Sequence, residues 1–255
     1  MSQVPPDHFS QVARDYAAFR PHYPEALFQW LASVAPGREL ACDVGTGNGQ
    51  SAVALAAHFS RVMASDLSAE QIENAIPHPR VEYRVAPAQD INATDGSVDL
   101  VTVAQALHWL DTDEFFAEVN RVLVSAGVIA AWTYGVVQAE KSGPNQLLYE
   151  FYYDEIRPWW PENRRLVEEG YQSIPFPFAP LAPPPFEMKV SWNIPELTGY
   201  IGTWSAVSRF RKATGEDPIP SLARRLGDSW GNPLDRMEIR WPLRVLAGRK
   251  NVRAL

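Results

Sequence analysis

Cysteine is nearly absent. Cys42 is the only one in 255 residues, which excludes an internal disulfide framework and a cysteine-ligated zinc site. Basic charge is scarce as well: 23 Lys and Arg face 30 Asp and Glu, a formal net charge of −7. The cations are scattered, and a chain without a basic face cannot displace counterions from a phosphate backbone, so no nucleic-acid partner is expected. No apolar run approaches the roughly 20 residues of a membrane helix, so no membrane partner is expected either. The opening MSQVPPDHFS lacks the basic and apolar regions of a signal peptide, and the expected location is cytoplasmic. His108 lies far in sequence from the other four histidines, which gives no metal-ligand spacing, and no metal is expected. The sequence is silent on oligomeric state. What it has in quantity is apolar residues, 46%, enough for one continuous α/β domain with a cap.

The chain is organised around Leu40–Gln50, LACDVGTGNGQ. An apolar run ends in Asp43 and breaks into Gly45, Gly47 and Gly49, and Ser51–Phe59 then reads as a helix. Glycines at a strand-to-helix turn allow backbone angles closed to other residues and let a ligand lie against bare main chain. The spacing is not that of a phosphate-gripping loop, which needs GxxxxGK. It also departs from the dinucleotide fingerprint GxGxxG, because position 50 is Gln.

Further strands are expected at Arg61–Ser65, Val81–Ala86, Val98–Val103 and Val128–Trp132, with an amphipathic helix over Phe115–Val124. Asp66 ends the second strand, where a carboxylate can accept from a ribose diol. It could instead cap the next helix, although Ser68 is better placed for that. The stretch AQALHW follows the apolar fourth strand, at the edge where open α/β sheets place ligands, which makes Gln105, His108 and Trp109 candidates for reacting groups. His108 could be a general base or a structural residue; Trp109 could offer a π face to a cation or simply pack. Trp132 and Tyr134, at the end of the fifth strand, join the acceptor candidates. Before the first strand, Phe9, Val12, Tyr16 and Phe19 recur at helical spacing, and Tyr16 and Arg20 project together.

Downstream, residues 136–185 are dense in Pro and aromatic rings, too apolar for a linker, and read as a cap. A helix is expected over Ser142–Arg157. Strands at Phe186–Ile194 and from Met237 flank a helical insert over 196–226, from which Tyr200 and Trp204 would hang toward a pocket or merely pack. Arg157, Arg164 and Arg165 are cationic candidates for an anionic acceptor, or solvated surface.

Asp43 with its three glycines, Asp66, the APAQDI loop after the third strand and the ALHW run, in this order, resemble class I S-adenosylmethionine (SAM) methyltransferases over about residues 8–135. The stretches RPHYP, AQALHWLD, YIGTWSAV and RWPLRVLAGRK narrow the resemblance to the group that includes trans-aconitate methyltransferase. The resemblance implies a Rossmann-like seven-stranded sheet whose last two strands form an antiparallel hairpin. The divisions would be an N-terminal lid at 1–36, a cofactor core at 37–135, the cap at 136–185 and the terminal hairpin with its insert at 186–255. It also implies SAM as cofactor. The loop from Asp43 through Gly45, Thr46, Gly47 and Gly49 would hold its amino-acid end, and Tyr16 and Arg20 its carboxylate. Asp66 and Leu67 would meet the nucleoside, Ala88 and Gln89 would flank the adenine with Asp90 nearby, and Gln105 would stand by the sulfonium. The expected reaction is methyl transfer to a small molecule, onto a carboxylate oxygen without a base or onto a phenol or alcohol with His108 as base. A binding protein without catalysis is the alternative.

Overall fold

Five of the stretches read as strands become five parallel strands in the computed structural model, which describes residues 21–110 and 112–251. β1 (Leu40–Val44), β2 (Arg61–Asp66), β3 (Val81–Val85), β4 (Val98–Ala104) and β5 (Leu123–Tyr134) lie in the order β3-β2-β1-β4-β5. The continuous apolar runs of β1, β4 and the second half of β5 are almost wholly buried, as a parallel sheet covered on both faces requires. A long final strand, Met237–Arg249, runs antiparallel along β5, with Tyr134 opposite Leu243 and Val128 opposite Arg249. Successive strands run outward from β1 on one side and onward through β4 on the other. The crevice at the carboxyl ends of β1 and β4 is therefore the topological switch point where such sheets bind ligands.

Helix α1 (Glu25–Val34) buries Leu27, Phe28, Leu31 and Ala32, spaced to make one face. Helix Thr112–Val122 buries Phe115, Phe116, Val119 and Val122 in the same way. It runs straight into β5 at Leu123, whereas the sequence places a gap between the two. Ala126 takes φ +61°, and the β4/β5 register slips between Val98 and Leu100, so a bulge absorbs the residues read as a connection.

The described residues fall into two units, one made of 23–135, 163–187 and the chain from Pro242 on, the other of Val136–Glu162 and Met188–Trp241. This division also breaks at 162 and 241, inside the expected cap and the expected terminal hairpin. Residues 163–187, read as part of the cap, group with the sheet because Val167, Tyr171 and Phe178 pack into the core around Phe116. The second unit is mainly helical. Ser142–Glu150 continues as a π-helical turn, Phe151–Glu155, and Ile194–Gly202, Ser205–Thr214 and Ile219–Trp230 follow. Asn193 and Glu196 open the helix Ile194–Gly202 with reciprocal side-chain bonds, a capping box. Tyr152, Trp192, Tyr200, Trp204 and Trp241 form the aromatic centre of this unit, with ring centroids 5.2 to 5.8 Å apart in tilted and edge-to-face pairs. The strand Glu187–Trp192 pairs with the final strand, as the sequence expects.

Candidate active site

Gly45, Gly47 and Gly49 have φ of +66°, +56° and +86°, the left-handed region that costs any residue with a Cβ about 1–2 kcal/mol. Space imposes a second demand at Gly45, where a Cβ would stand 2.7 Å from the Cβ of Ala106. The loops that follow β1 and β4 touch there. At Gly47 the nearest atom to a Cβ among the described residues would be Gln71 Oε1, 3.7 Å away, so none of them crowds the main chain there.

Two carboxylates brace this loop. Asp43 is 1% exposed and accepts from the hydroxyls of Thr46 and Thr102, each at 2.6 Å. Burial pushes its carboxyl up to about 6; the two hydroxyls pull the other way, and the nearby Asp66 adds to the rise. Asp66 accepts from the Gly47 N–H at 2.8 Å with one oxygen and from the Ser68 N–H at 2.9 Å with the other. A carboxylate has about four lone-pair sites, so each Asp66 oxygen keeps one for a further donor. Ser68 caps the helix Ala69–Glu73 through Gln71 N–H, as the sequence expects.

Beside Asp66, Leu67 is 75% exposed, and Val85 at the end of β3 is 48% exposed. Ala88 follows β3 as a buried residue and Gln89 as a half-buried one. Asp90 is engaged with Arg84 at 3.0 Å.

The loop after β4 is shaped without glycine. Gln105 takes φ +56°, its N–H bonding Trp132 O at 2.9 Å. Its amide donates to Tyr134 O at 3.3 Å and accepts from the Thr133 hydroxyl at 2.5 Å. His108 Nδ1 lies 3.2 Å from the Tyr171 hydroxyl, and Asn163 donates to the His108 carbonyl at 3.0 Å. Burial, with the Arg164 guanidinium adding, pushes the His108 pKa down to about 4, so the ring is neutral near pH 7. Trp109, 63% exposed, tilts over it at 5.0 Å.

The structure thus brings Asp43, Gly45, Thr46, Gly47, Gly49, Asp66, Leu67, Ala88, Gln89, Gln105, His108 and Trp109 to the carboxyl edge of one sheet. Trp132 departs from the sequence reading. It is fully buried between Tyr23 and Phe28, both edge-on to its ring, because alternation along β5 turns Thr133 to Gln105 and Trp132 to the opposite face. Tyr134 is also buried and reaches Gln105 through its carbonyl. Tyr200 and Trp204 belong to the aromatic centre of the other unit. Tyr16 and Arg20 lie outside the described residues. Of the three arginines, Arg165 pairs with Glu169 at 2.7 Å, Arg157 is exposed in the other unit, and Arg164 acts on His108. Thr102, Thr133 and Tyr171 were missed from sequence. For the threonines, a hydroxyl inside an otherwise apolar strand was the available signal. Among the described residues no group of three or more His, Cys, Asp or Glu could hold a metal, and no helix is long and apolar enough to cross a membrane.

A parallel sheet with a glycine loop and a strand-end acid at its switch point is a Rossmann-like arrangement. Comparison with known proteins gives the family. The methyltransferase domain profile matches residues 42–131. A Dictyostelium discoideum protein provisionally named a methyltransferase is 34% identical over 223 residues, 86% of this chain and 85% of that one. A solved structure from Anaeromyxobacter dehalogenans, described as a type II methyltransferase with the same reservation, is 44% identical, covers 91% of this chain and 98% of its own, and superposes with a TM-score of 0.87. The chain belongs to the class I SAM-dependent methyltransferases. The [4+2]-cyclase SpnF, 15% identical with a TM-score of 0.50 over 95% of this chain and 93% of its own, shares the fold alone, so the acceptor must be argued from the site.

Proposed function

We propose that the chain methylates an oxygen of a small molecule, a carboxylate, with SAM as donor. The observation that carries the reading is Asp66. Its carboxylate keeps one acceptor site on each oxygen, beside the bare main chain of Gly47 and the exposed apolar face of Leu67. That set fits a ribose diol with a flat base next to it. Asp43 and Asp66 make the loop negative, which suits a ligand with an ammonium and a sulfonium and disfavours a phosphate. Asp43, wholly buried, acts through Thr46 on the shape of the loop. In this reading Ala88 and Gln89 would flank the base, and Gln105 would face the sulfonium end. When bound, SAM supplies an already activated methyl electrophile.

The chain's own residues are then left with alignment and exclusion of water, and alignment alone can contribute roughly 7 to 11 kcal/mol. A carboxylate acceptor is ionised at neutral pH and needs no base. His108, pushed down to about 4, is a weak base, which favours the carboxylate over a phenol or alcohol. Arg164, the cation acting on His108, is the candidate to pair with an anionic acceptor.

The test is a transfer assay with labelled SAM against small carboxylic acids, phenols and amines. Label in the acids is the expected result. Label confined to amines, or no calorimetric binding of SAM, would remove the proposal.

A further inference from the structure

Among the described residues three non-glycine residues have positive φ, and two of them bear on His108: Gln105 (+56°) shares its loop, and the hydroxyl of Tyr171 (+64°) lies 3.2 Å from its ring. A bulky side chain in that region is strained, and strain of about 1–3 kcal/mol persists only where the surroundings impose it. Tyr171 follows Gly170 (φ +66°) at the end of the short helix Arg164–Glu168, its N–H bonding Leu166 O at 2.8 Å. The paired left-handed residues throw the phenol into the core, where it is fully buried. An apolar core would accept phenylalanine at that position. The hydroxyl instead lies 3.2 Å from His108 Nδ1, the two rings near-parallel at 25° with centroids 6.2 Å apart. It also interacts with the Thr133 side chain, whose own hydroxyl donates to Gln105 Oε1 at 2.5 Å, and with the backbone of Leu107 and His108.

We propose that Tyr171 is the positioning residue of the transfer site, holding His108 in one tautomer and one orientation and, through Thr133, fixing the amide of Gln105. The inference rests on reading the loop after β4 as the place where acceptor and methyl group meet. Imidazole presents a different atom to an acceptor in each neutral tautomer, and the hydrogen bond at one nitrogen decides which. Burial keeps the ring uncharged, so the choice persists across neutral pH. Asn163 holds the backbone of the same histidine, leaving ring rotation and proton placement as the freedoms that Tyr171 removes.

The test needs neither donor nor acceptor. In protein labelled with 15N-histidine, five histidines contribute, and the His108 signals are those lost in His108→Gln. In the unaltered chain they should report a single neutral tautomer at pH 7. Tyr171→Phe keeps the ring and should move both nitrogen shifts toward the average of the two tautomers. Unchanged shifts would overturn the proposal, since a purely packing role leaves them alone. Should Tyr171→Phe fail to fold, Thr133→Val frees the hydroxyl while leaving the tyrosine in place. It should shift the same resonances, and identical spectra there overturn the proposal equally. Calorimetry with SAM on the same samples separates the two readings: absence of binding to the unaltered chain sinks the methyl-transfer proposal and leaves the tautomer result standing.

Discussion

The two loops at the switch point reach positive φ by opposite means. The one after β1 does so with three glycines, which take those angles without a Cβ penalty. The one after β4 has none. Gln105 is held in the same region by Thr133, Tyr134 and Trp132, and His108 by Tyr171 and Asn163. A glycine loop is tolerant of its surroundings and intolerant of its own substitution. A strained loop held from outside is the reverse.

The sharpest break in that comparison is Gly45→Ala. It adds the left-handed penalty to a 2.7 Å contact with Ala106, and a loss of about 3 kcal/mol in denaturant unfolding is expected. A loss below about 1 kcal/mol would mean that the two loops part freely.

Buried titrating groups come next, one under each loop, with opposite signs. Asp43 is raised from 3.8 to about 6, so the folded state holds the proton more tightly. Its contribution is fully present below pH 4 and is lost as pH rises to 6, at about 3 kcal/mol for two units. His108 is lowered from 6.5 to about 4, so the unfolded state holds the proton more tightly, and stability falls as pH drops from 6.5 to 4. Asp43→Asn should therefore steepen acid destabilisation across pH 4 to 6, and His108→Gln should flatten it. Melting temperatures that shift in parallel for both variants would contradict this.

Cofactor binding gives a smaller effect. Asp66→Ala should weaken SAM binding by more than about tenfold through loss of charge-assisted bonds, and unchanged calorimetric affinity would remove the ribose assignment. The smallest expected effect completes the comparison. Gln105→Gly relieves strain while losing two side-chain bonds of about 1 kcal/mol each, so stability should change by under about 1 kcal/mol. Turnover should nevertheless fall with the order of the loop. A drop in stability comparable with that of Gly45→Ala would show that the two loops are built alike.

This contrast explains what could be read from sequence. The glycine triplet, Asp66 and the apolar runs of β1 and β4 carry local signals, and from them the strands of the sheet and the turn after β1 were legible. Ser68 as the helix cap was legible for the same reason. Tyr171 was not, because its importance comes from a left-handed turn 63 residues away from His108. Trp132 was misplaced because strand alternation, not proximity to the site in sequence, decides which face a ring meets. The 163–187 segment was read by composition as cap, whereas Phe176 and Phe178 stack edge-on against Phe116 in the sheet core.

Cys42 gives the molecule a built-in clock. The lone thiol sits in the middle of β1, paired in register with Met63 on one side and Val101 on the other, and burial pushes it up to about 12. Such a thiol is inert to alkylating dyes until the central strand opens. The rate at which a chromogenic disulfide reagent colours the unmodified protein therefore counts excursions of the sheet itself, and a slower count with added nucleoside reads ligand occupancy without any engineered label.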